Sequence, residues 1–372
     1  MKKLLFVYGT RPEAIKLAPL ILEFKKYPKL FEVIVCLTGQ HRQMLDQVNS
    51  FFCINPDFDL DLMLPNQTLA GLTSRCINGI DEIISIVKPD YTFVQGDTTS
   101  VLAASLASFY HKVPVVHIEA GLRSGRKYSP FPEELNRIIA GHIAEWHFAP
   151  TEAARSNLAR EGISKNVYVV GNTVIDALML GLGIISKNDS EYWKYFNNID
   201  FSKKVILVTG HRRESFGESF ENICLAIKDI VEKHSDVEIV YPVHLNPNVQ
   251  EPVKRILAGI SRIHLIDPIE YPYMIWLMNK SYFVLTDSGG IQEEAPALGK
   301  PVLVMRDVTE RQEGIDAGTS LLVGSNRARI FKEAERLLTD ENTYASMSHA
   351  ANPYGNGDTA KIIVNYFVES HK

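Results

Sequence analysis

The sequence predicts an α/β protein with parallel sheets. Short apolar runs alternate with longer helical patterns from one end of the chain to the other, as in sheets whose strands are joined by helical crossovers. The chain has 372 residues, too many for one ordinary hydrophobic core, which predicts two domains. Residues 6–13 and 207–214 resemble each other, since both run strand, Gly, polar residue, Arg, one residue, Glu. A similarity of eight residues also arises by chance; if it is real, each half is a separate doubly wound domain that begins at that strand.

The individual elements follow from local patterns. Apolar runs of four to seven residues bounded by turn-forming residues predict the strands. The predicted strands cover residues 4–8, 33–38, 91–95, 113–118, 167–170, 205–209, 237–243, 263–266, 282–286 and 301–305. Apolar residues spaced three and four apart predict helices between them. The predicted helices include residues 14–26, 68–87, 99–110, 134–144, 151–161 and 220–234.

Composition excludes several classes of protein. An apolar content of 45% and a charged content of 22% are typical of a soluble globular chain. A formal charge of -5 gives no electrostatic reason to expect nucleic acid as a partner. The first apolar run is too short for a signal peptide, and no stretch approaches a membrane span. The four cysteines form no CxxC pair, so we expect reduced thiols in a cytoplasmic protein.

Residues 282–305, YFVLTDSGGIQEEAPALGKPVLVM, are the most informative stretch. A strand followed by Gly-Gly and a helix points backbone N–H groups and the positive end of a helix dipole at one spot, which favours phosphate. Glu293 and Glu294 follow in the same helix, where a carboxylate suits ribose hydroxyls better than phosphate. The alternative is that both only complement the helix N-terminus. Adjacent helical residues face different ways, so at most one is expected on the ligand.

Cations and acids follow the strands of the first half, where ligands bind in parallel sheets. Arg11 and Lys16 near a helix start suit a diphosphate, although Arg11 could instead pair with Glu13. Asp97 and Glu119 each follow a predicted strand, with Glu119 the harder of the two to explain as a helix cap.

A third acid, Glu133 or Glu134, opens the next helix. Clustered carboxylates repel each other, which raises the pKa of at least one of them and prepares it for acid–base catalysis. The alternative is that these acids only complement helix N-termini.

The second half places His211 and Arg212 after one strand and His244 after the next. They could contact phosphate or donate a proton, or they could form a solvated basic turn. No GxGxxG follows a strand and opens a helix, and no GxxxxGK[ST] occurs, which disfavours dehydrogenases and P-loop kinases. The His and Cys spacings match no metal site.

Ten motifs in order resemble one family. They are GTRPEAIKLAPL, TGQHRQMLDQV, GDTTS, HIEAGLRS, SPFPEELNR, GNTVIDAL, TGHRRESFGE, YPVHLNPNV, TDSGGIQEEAPALGKPVLVMRD and NPYGNGD. Together they span residues 9–358 and resemble the bacterial non-hydrolysing UDP-N-acetylglucosamine 2-epimerases.

That resemblance implies a GT-B architecture of two Rossmann-like domains facing across a cleft. The implied bounds are an N-terminal domain at 1–170, a UDP-binding domain at 171–353, and a segment at 354–372 that returns to the first domain. The implied reaction interconverts UDP-GlcNAc and UDP-ManNAc through loss of the C2 proton and UDP, giving 2-acetamidoglucal, to which UDP adds back. The resemblance implies no cofactor or metal, and it implies a homodimer that supplies precursors for cell-surface polysaccharide.

The resemblance also assigns residues. The implied catalytic residues are Asp97, Glu119, Glu133 and His211. The implied contacts to UDP and its diphosphate are Arg11, Lys16, Arg137, Ser288, Gly289, Gly290 and Glu294. The implied allosteric site for a second UDP-GlcNAc is formed by Gln40, Gln43, Glu133, Arg212 and His244.

Three positions depart from the family pattern. Asn66 replaces an arginine found in relatives, which puts tight activation in doubt, and Gln95 and Gln312 replace a histidine and a proline. Three alternative functions stay open: a hydrolysing epimerase, a GT-B glycosyltransferase and a non-catalytic UDP-sugar sensor. Incubation with UDP-GlcNAc alone would separate a hydrolysing epimerase, which releases free ManNAc, from the other two, which form no product without an acceptor.

Overall fold

A computed structural model describes residues 1–39, 42–64 and 66–369, apart from the side chains of Arg42, Gln43 and Arg213. Contacts divide the chain into two compact units. Unit 1 comprises Met1–Leu180 and Tyr354–Lys372, and unit 2 comprises Gly181–Pro353. The domain bounds predicted from the sequence stay a prediction, because a division by contacts does not show that each unit folds as a separate domain.

Strands and helices alternate in both units. The strands are β1 Lys2–Tyr8, β2 Phe31–Leu37, β3 Phe58–Asp59, β4 Tyr91–Gln95, β5 Val115–Ile118, β6 Trp146–Ala149, β7 Val167–Val169, β8 Lys204–Thr209, β9 Val237–Pro242, β10 Ile263–Ile266, β11 Phe283–Thr286, β12 Val302–Val304 and β13 Ser320–Leu322.

The helices carry the chain between them. They are α1 Arg11–Phe24, α2 Arg42–Phe51, α3 Leu69–Val87, α4 Thr99–Tyr110, α5 Glu133–Ile143, α6 Glu152–Arg160, α7 Thr173–Ile185, α8 Asp189–Tyr195, α9 Glu218–Lys233, α10 Pro247–Leu257, α11 Tyr271–Lys280, α12 Gly289–Ala297, α13 Gln312–Asp316, α14 Arg327–Thr339, α15 Glu341–Ser348 and α16 Thr359–Glu369. Short 3₁₀ turns lie at Ser186–Asn188 and Arg213–Ser215.

Each unit has its own parallel sheet. Within the described residues, the sheet of unit 1 has seven strands in the order β3-β2-β1-β4-β5-β6-β7, and that of unit 2 has six in the order β10-β9-β8-β11-β12-β13. The strand order reverses between β1 and β4 in unit 1 and between β8 and β11 in unit 2. Such a switch point opens a crevice at the carboxyl ends of the strands, where ligands bind. The predicted α/β fold class is confirmed.

An aromatic cluster holds the end of the chain on unit 1. The ring of Phe6 on β1 stacks on Phe93 of β4 at 4.6 Å between centroids. Phe367 of α16 packs edge-on against Phe24 of α1 at 5.7 Å. Phe6, Phe24, Phe93 and Phe367 are all buried, so α16 completes the hydrophobic core of this unit.

Hydropathy along the described helices gives no candidate for a membrane span: none in residues 1–39, 42–64 and 66–369 is long and apolar enough to cross a bilayer.

Candidate active site

The loops after β1, β4 and β5 bring charged side chains together in unit 1. The loop after β1 is organised by Glu13, which is 1% exposed. Its carboxylate accepts hydrogen bonds from the backbone N–H groups of Gly9 at 3.1 Å and Thr10 at 2.8 Å. It also accepts the Thr98 hydroxyl at 2.7 Å, which ties the loop after β1 to the loop after β4. Burial raises the pKa of Glu13 to about 7, although these hydrogen bonds oppose the shift.

Glu119 is surrounded by hydrogen-bond donors. The ammonium group of Lys16 lies 2.6 Å and 2.7 Å from its two carboxylate oxygens. The side-chain amide of Asn172 donates to Oε1 at 3.1 Å, and that of Gln95 donates to Oε2. Four hydrogen bonds from three elements hold a carboxylate that is only 7% exposed. The donors and the cation favour the ionised form, which is the form that can accept a proton, and they fix the direction of its oxygens.

The backbone of Glu119 is strained. Its φ is +62°, a left-handed conformation that costs a residue with a side chain about 1–3 kcal/mol. Such strain persists only where the surroundings enforce it, and it is common at functional sites. This conformation sets the direction of the Glu119 side chain at the end of β5. The sequence does not predict it, because Glu rarely adopts a left-handed conformation.

Asp97 is paired with Arg137. The guanidinium group of Arg137 on α5 donates to the Asp97 carboxylate and, at 3.2 Å, to Glu134. The N-cap of α4 is Thr98, whose hydroxyl accepts the N–H of Val101 at 3.4 Å. Asp97 therefore does not have the N-cap role that was its alternative interpretation.

Glu133 and Glu134 have different surroundings. Glu134 is buried and accepts the backbone N–H groups of Ser124 and Gly125, each at 3.0 Å, so it holds the loop before α5. Glu133 is partly exposed, and its side chain has no hydrogen-bond or ion-pair partner among the described residues. Of these two acids, Glu133 is the one available to a ligand.

Unit 2 has a different set of groups at its switch point. The helix α12 begins at Gly289, directly after Asp287 and Ser288. The Asp287 carboxylate accepts the backbone N–H groups of His211 at 2.7 Å and Arg212 at 2.8 Å. Asp287 thereby fixes the loop after β8 beside the N-terminus of α12, where a helix dipole and backbone N–H groups favour an anion.

Glu293 and Glu294 point to different partners, as their adjacent positions predict. Glu293 is buried and lies 2.6 Å from the Nε of Arg311. Glu294 accepts the hydroxyl of Tyr271 at 3.0 Å. Burial, together with Glu294, raises the pKa of Tyr271 well above its ordinary value, so this hydroxyl stays a donor. Glu293 is thus occupied by Arg311, whereas the Glu294 carboxylate reaches back to the start of α12, where it would lie 3.9 Å from a Cβ at Gly290.

His211 and His244 form a stacked pair. Their ring centroids are 5.2 Å apart with an interplanar angle of 11°. The Nδ1 of His244 accepts the backbone N–H of Asn246 at 3.1 Å, and the Nδ1 of His211 lies 3.5 Å from the Asp287 carboxylate. Two residues that the sequence assigned to separate sites are thus in contact.

The other predicted residues are placed as follows. Arg11 is the first residue of α1. Gln40 lies outside the described residues, and so does the side chain of Gln43. Sequence reasoning missed Asn172, although it follows a predicted strand, and it missed Tyr271, for which the sequence carries no signal. No group of three or more His, Cys, Asp or Glu side chains in the described part of the chain is arranged to hold a metal ion.

Comparisons with known proteins identify the family of this chain. A family model described as UDP-N-acetylglucosamine 2-epimerase matches residues 23–368. A protein of Escherichia coli (strain K12) named UDP-N-acetylglucosamine 2-epimerase is 55% identical over 366 residues, which cover 97% of each chain. The chain belongs to the UDP-N-acetylglucosamine 2-epimerase family. The family predicted from the motifs is confirmed, and so is the prediction of an enzyme.

Solved structures of this family extend the similarity to the fold. The UDP-GlcNAc 2-epimerase of Neisseria meningitidis, solved with UDP-GlcNAc bound, is 48% identical with a TM-score of 0.91, covering 99% of this chain and 100% of that one. S. aureus MnaA in a co-structure with UDP is 46% identical with a TM-score of 0.87, covering 100% of this chain and 97% of that one.

Proposed function

We propose that this enzyme interconverts UDP-GlcNAc and UDP-ManNAc without hydrolysing them, by elimination and re-addition of UDP. The observation that carries the proposal is the buried Glu119 carboxylate, held by Lys16, Gln95 and Asn172 within a family whose characterised members act on UDP-GlcNAc by name. The donors keep this carboxylate ionised and fix its direction, and one of its four hydrogen bonds is given up when it accepts a proton.

The reaction balances without an oxidant or reductant. A base takes the proton from C2, the C2–H electron pair forms the C1=C2 bond, and the C1–O bond breaks with its electrons leaving on UDP. In the return step a UDP oxygen attacks C1, and an acid gives a proton to C2 from the opposite face. Atoms and charge are conserved, and the net change is inversion at C2.

Unit 1 is assigned the proton transfers. Glu119, Asp97 and Glu133 are the proposed acid–base residues, and the contacts of Glu134 and Glu13 support this choice because both of those acids are engaged with backbone N–H groups. Which of the three serves each face of C2 stays open. Arg11, Lys16 and Arg137 are proposed to neutralise the diphosphate.

Unit 2 is assigned the nucleotide. Ser288, Gly289 and Gly290 at the start of α12 are proposed to bind phosphate, and Glu294 is proposed to accept ribose hydroxyls. His211 is proposed to assist UDP departure, since its position beside the N-terminus of α12 suits a group that contacts a developing phosphate charge. The stacked His244 extends the same surface.

Further parts of the proposal concern regulation and assembly. Gln40, Gln43, Glu133, Arg212 and His244 are proposed to bind a second UDP-GlcNAc as an activator. The enzyme is proposed to act as a homodimer and to supply ManNAc-type precursors for cell-surface polysaccharide. Sedimentation of the purified chain tests the homodimer, and a sigmoidal dependence of rate on UDP-GlcNAc tests the activator site.

The test is incubation of the purified protein with UDP-GlcNAc alone, followed by chromatography of the products. UDP-ManNAc is the expected product. Free ManNAc with UDP would identify a hydrolysing epimerase. Binding of UDP-GlcNAc without any product would identify a transferase that lacks its acceptor, or a sensor, and would overturn the proposal.

A further inference from the structure

Two motifs that contain none of the proposed catalytic or UDP-binding residues meet at Tyr354 in unit 1. They are GNTVIDAL at residues 171–178 and NPYGNGD at 352–358. The backbone N–H of Asn172 donates to the carbonyl of Tyr354 at 2.7 Å. Gly171 has a φ of +92°, and a Cβ there would lie 2.8 Å from the Thr359 hydroxyl and 3.0 Å from the Tyr354 carbonyl. Only glycine allows the two segments to approach this closely.

The start of α16 is fastened to the same place. The hydroxyl of Thr359 donates to the carbonyl of Val170 at 3.0 Å, and the backbone N–H of Ala360 donates to Asp176 at 2.8 Å. These contacts span more than 180 residues of sequence, since the partners are separated by 189 and 184 positions. The returning segment is therefore attached to the chain on both sides of Asn172.

The side chain of Asn172 leads from this joint to Glu119. Its Oδ1 accepts the backbone N–H of Val174 at 3.1 Å, and its Nδ2 donates to the Glu119 carboxylate at 3.1 Å. Asn172 is only 2% exposed. With its backbone N–H on Tyr354 and its Oδ1 on Val174, the amide has one orientation, in which its donor is aimed at Glu119.

We infer that Asn172 is a positioning residue that uses the docked C-terminal segment to hold the Glu119 carboxylate in its reactive orientation. The inference rests on the proposed role of Glu119. Lys16 and Gln95 hold the same carboxylate from α1 and β4, so Asn172 supplies the third fixed direction. The activity of this enzyme then depends on a segment that begins at Tyr354, far along the chain from the proposed catalytic residues.

The competing explanation is that Asn172 only caps α7. The variant Asn172→Ser separates the two, because Ser caps a helix about as well as Asn but is too short to reach Glu119. We expect kcat to fall about tenfold, as for a lost hydrogen bond to a charged group. The thermal midpoint and the affinity for UDP should stay at the wild-type values. Unchanged kcat would overturn the inference.

The link to the returning segment is tested by a pair of glycine variants. Gly171→Ala pushes against Tyr354 and Thr359, whereas Gly162→Ala has a similar φ of +81° with nothing within 4 Å of the added carbon. Both should lower the thermal midpoint through backbone strain, but only Gly171→Ala should lower kcat. Gly171→Ala should add nothing to Asn172→Ser if both act through the same hydrogen bond. Additive losses would overturn the coupling.

A crystal structure of Asn172→Ser gives a readout that does not depend on turnover. The Glu119 carboxylate is expected to rotate away from its wild-type position relative to Lys16. An unmoved carboxylate would overturn the inference even if the wild-type protein proved to catalyse another reaction. Failure of the wild-type protein to form UDP-ManNAc would count against the proposed function alone.

Discussion

The switch points of the two sheets share a strand arrangement but differ in chemistry. The strands around them run β2-β1-β4-β5 in unit 1 and β9-β8-β11-β12 in unit 2. In unit 1 the loops carry the buried Glu119, paired with Lys16, and the partly exposed Asp97, paired with Arg137. In unit 2 the equivalent loops carry a Gly-Gly helix start and an exposed pair of stacked histidines. One topology thus carries the proposed acid–base groups in one unit and the proposed phosphate-binding helix start in the other.

The locally similar segments 6–13 and 207–214 differ in the burial and contacts of their last residue. Glu13 ends the first segment and is 1% exposed, with its carboxylate on the N–H groups of Gly9 and Thr10. Glu214 ends the second, has a side chain that is 53% exposed, and pairs with Arg306 at 2.7 Å. The helix α1 starts at once after β1, whereas a 3₁₀ turn separates β8 from α9. Similar residues therefore have different roles because the next helix starts at a different place.

The largest expected effect is the loss of kcat when the acids of unit 1 are substituted. Asp97→Asn, Glu119→Gln and Glu133→Gln should each lower kcat by roughly 10²–10⁴-fold, the range for acid–base groups. The affinity for UDP, measured by calorimetry, should change much less than kcat, because these three acids are assigned to C2 of the sugar and not to UDP. Glu161→Gln is the control, since Glu161 pairs with Arg123 and has no proposed role in the reaction. Near-normal rates in all three variants would contradict the assignment of proton transfer to unit 1.

The next effect is on the pH dependence of the free energy of unfolding, to which Glu13 contributes. Its pKa is raised from 4.5 to about 7, so the folded state binds this proton more tightly than the unfolded chain does. The stabilising contribution is present below the pKa of the unfolded chain, 4.5, and is lost as the pH rises through about 7. The stability lost in this way is roughly 3 kcal/mol. Glu13→Gln removes the titration. Its free energy of unfolding should therefore rise relative to wild type between about pH 4 and about pH 8.

Glu214→Gln is the matched control for that measurement, because Glu214 occupies the position in the second segment that corresponds to Glu13 and its side chain is 53% exposed. Denaturant unfolding of both variants over this pH range should give a sloping difference for Glu13→Gln and a much flatter one for Glu214→Gln. Equal slopes would show that burial does not distinguish the two segments.

A smaller effect separates the adjacent glutamates of α12. Glu294→Gln should weaken UDP binding about tenfold and leave stability nearly unchanged, because the amide retains an acceptor for Tyr271 but loses the charge. Glu293→Gln should leave UDP affinity unchanged and destabilise the fold by about 2 kcal/mol, because Arg311 loses its buried anionic partner. Calorimetry and unfolding of the two variants check both statements, and exchanged effects would reverse the assignment.

Much of the fold followed from sequence patterns, but short and polar strands did not. The strands at 91–95 and 263–266 have the predicted bounds, since each is an uninterrupted run between turn signals. The strands β3, β6 and β13 were missed because they have two to four residues and, in β6, a polar His147 within the run.

The sequence indicates candidate positions for the site but not which side chains pair with each other. Polar residues after strands mark the ligand-binding edge of a parallel sheet, and on that ground Asp97, Glu119 and His211 are proposed as site residues. The contact between Lys16 and Glu119 joins residues 103 positions apart, and the one between Asn172 and Glu119 joins residues 53 apart. Such pairings depend on tertiary packing, and a single sequence carries no local signal for them.

The most direct test of the contrast is turnover of UDP-GlcNAc in deuterated water, with products analysed by NMR and mass spectrometry. The account predicts one deuterium at C2 in both epimers, because unit 1 removes the C2 proton and returns one from a side chain that exchanges with solvent. Glu119→Gln should slow this labelling along with turnover, whereas Glu294→Gln should allow it at saturating substrate. UDP-ManNAc formed without deuterium at C2 would contradict the account, since proton transfer by the carboxylates of unit 1 could not then be the chemical step.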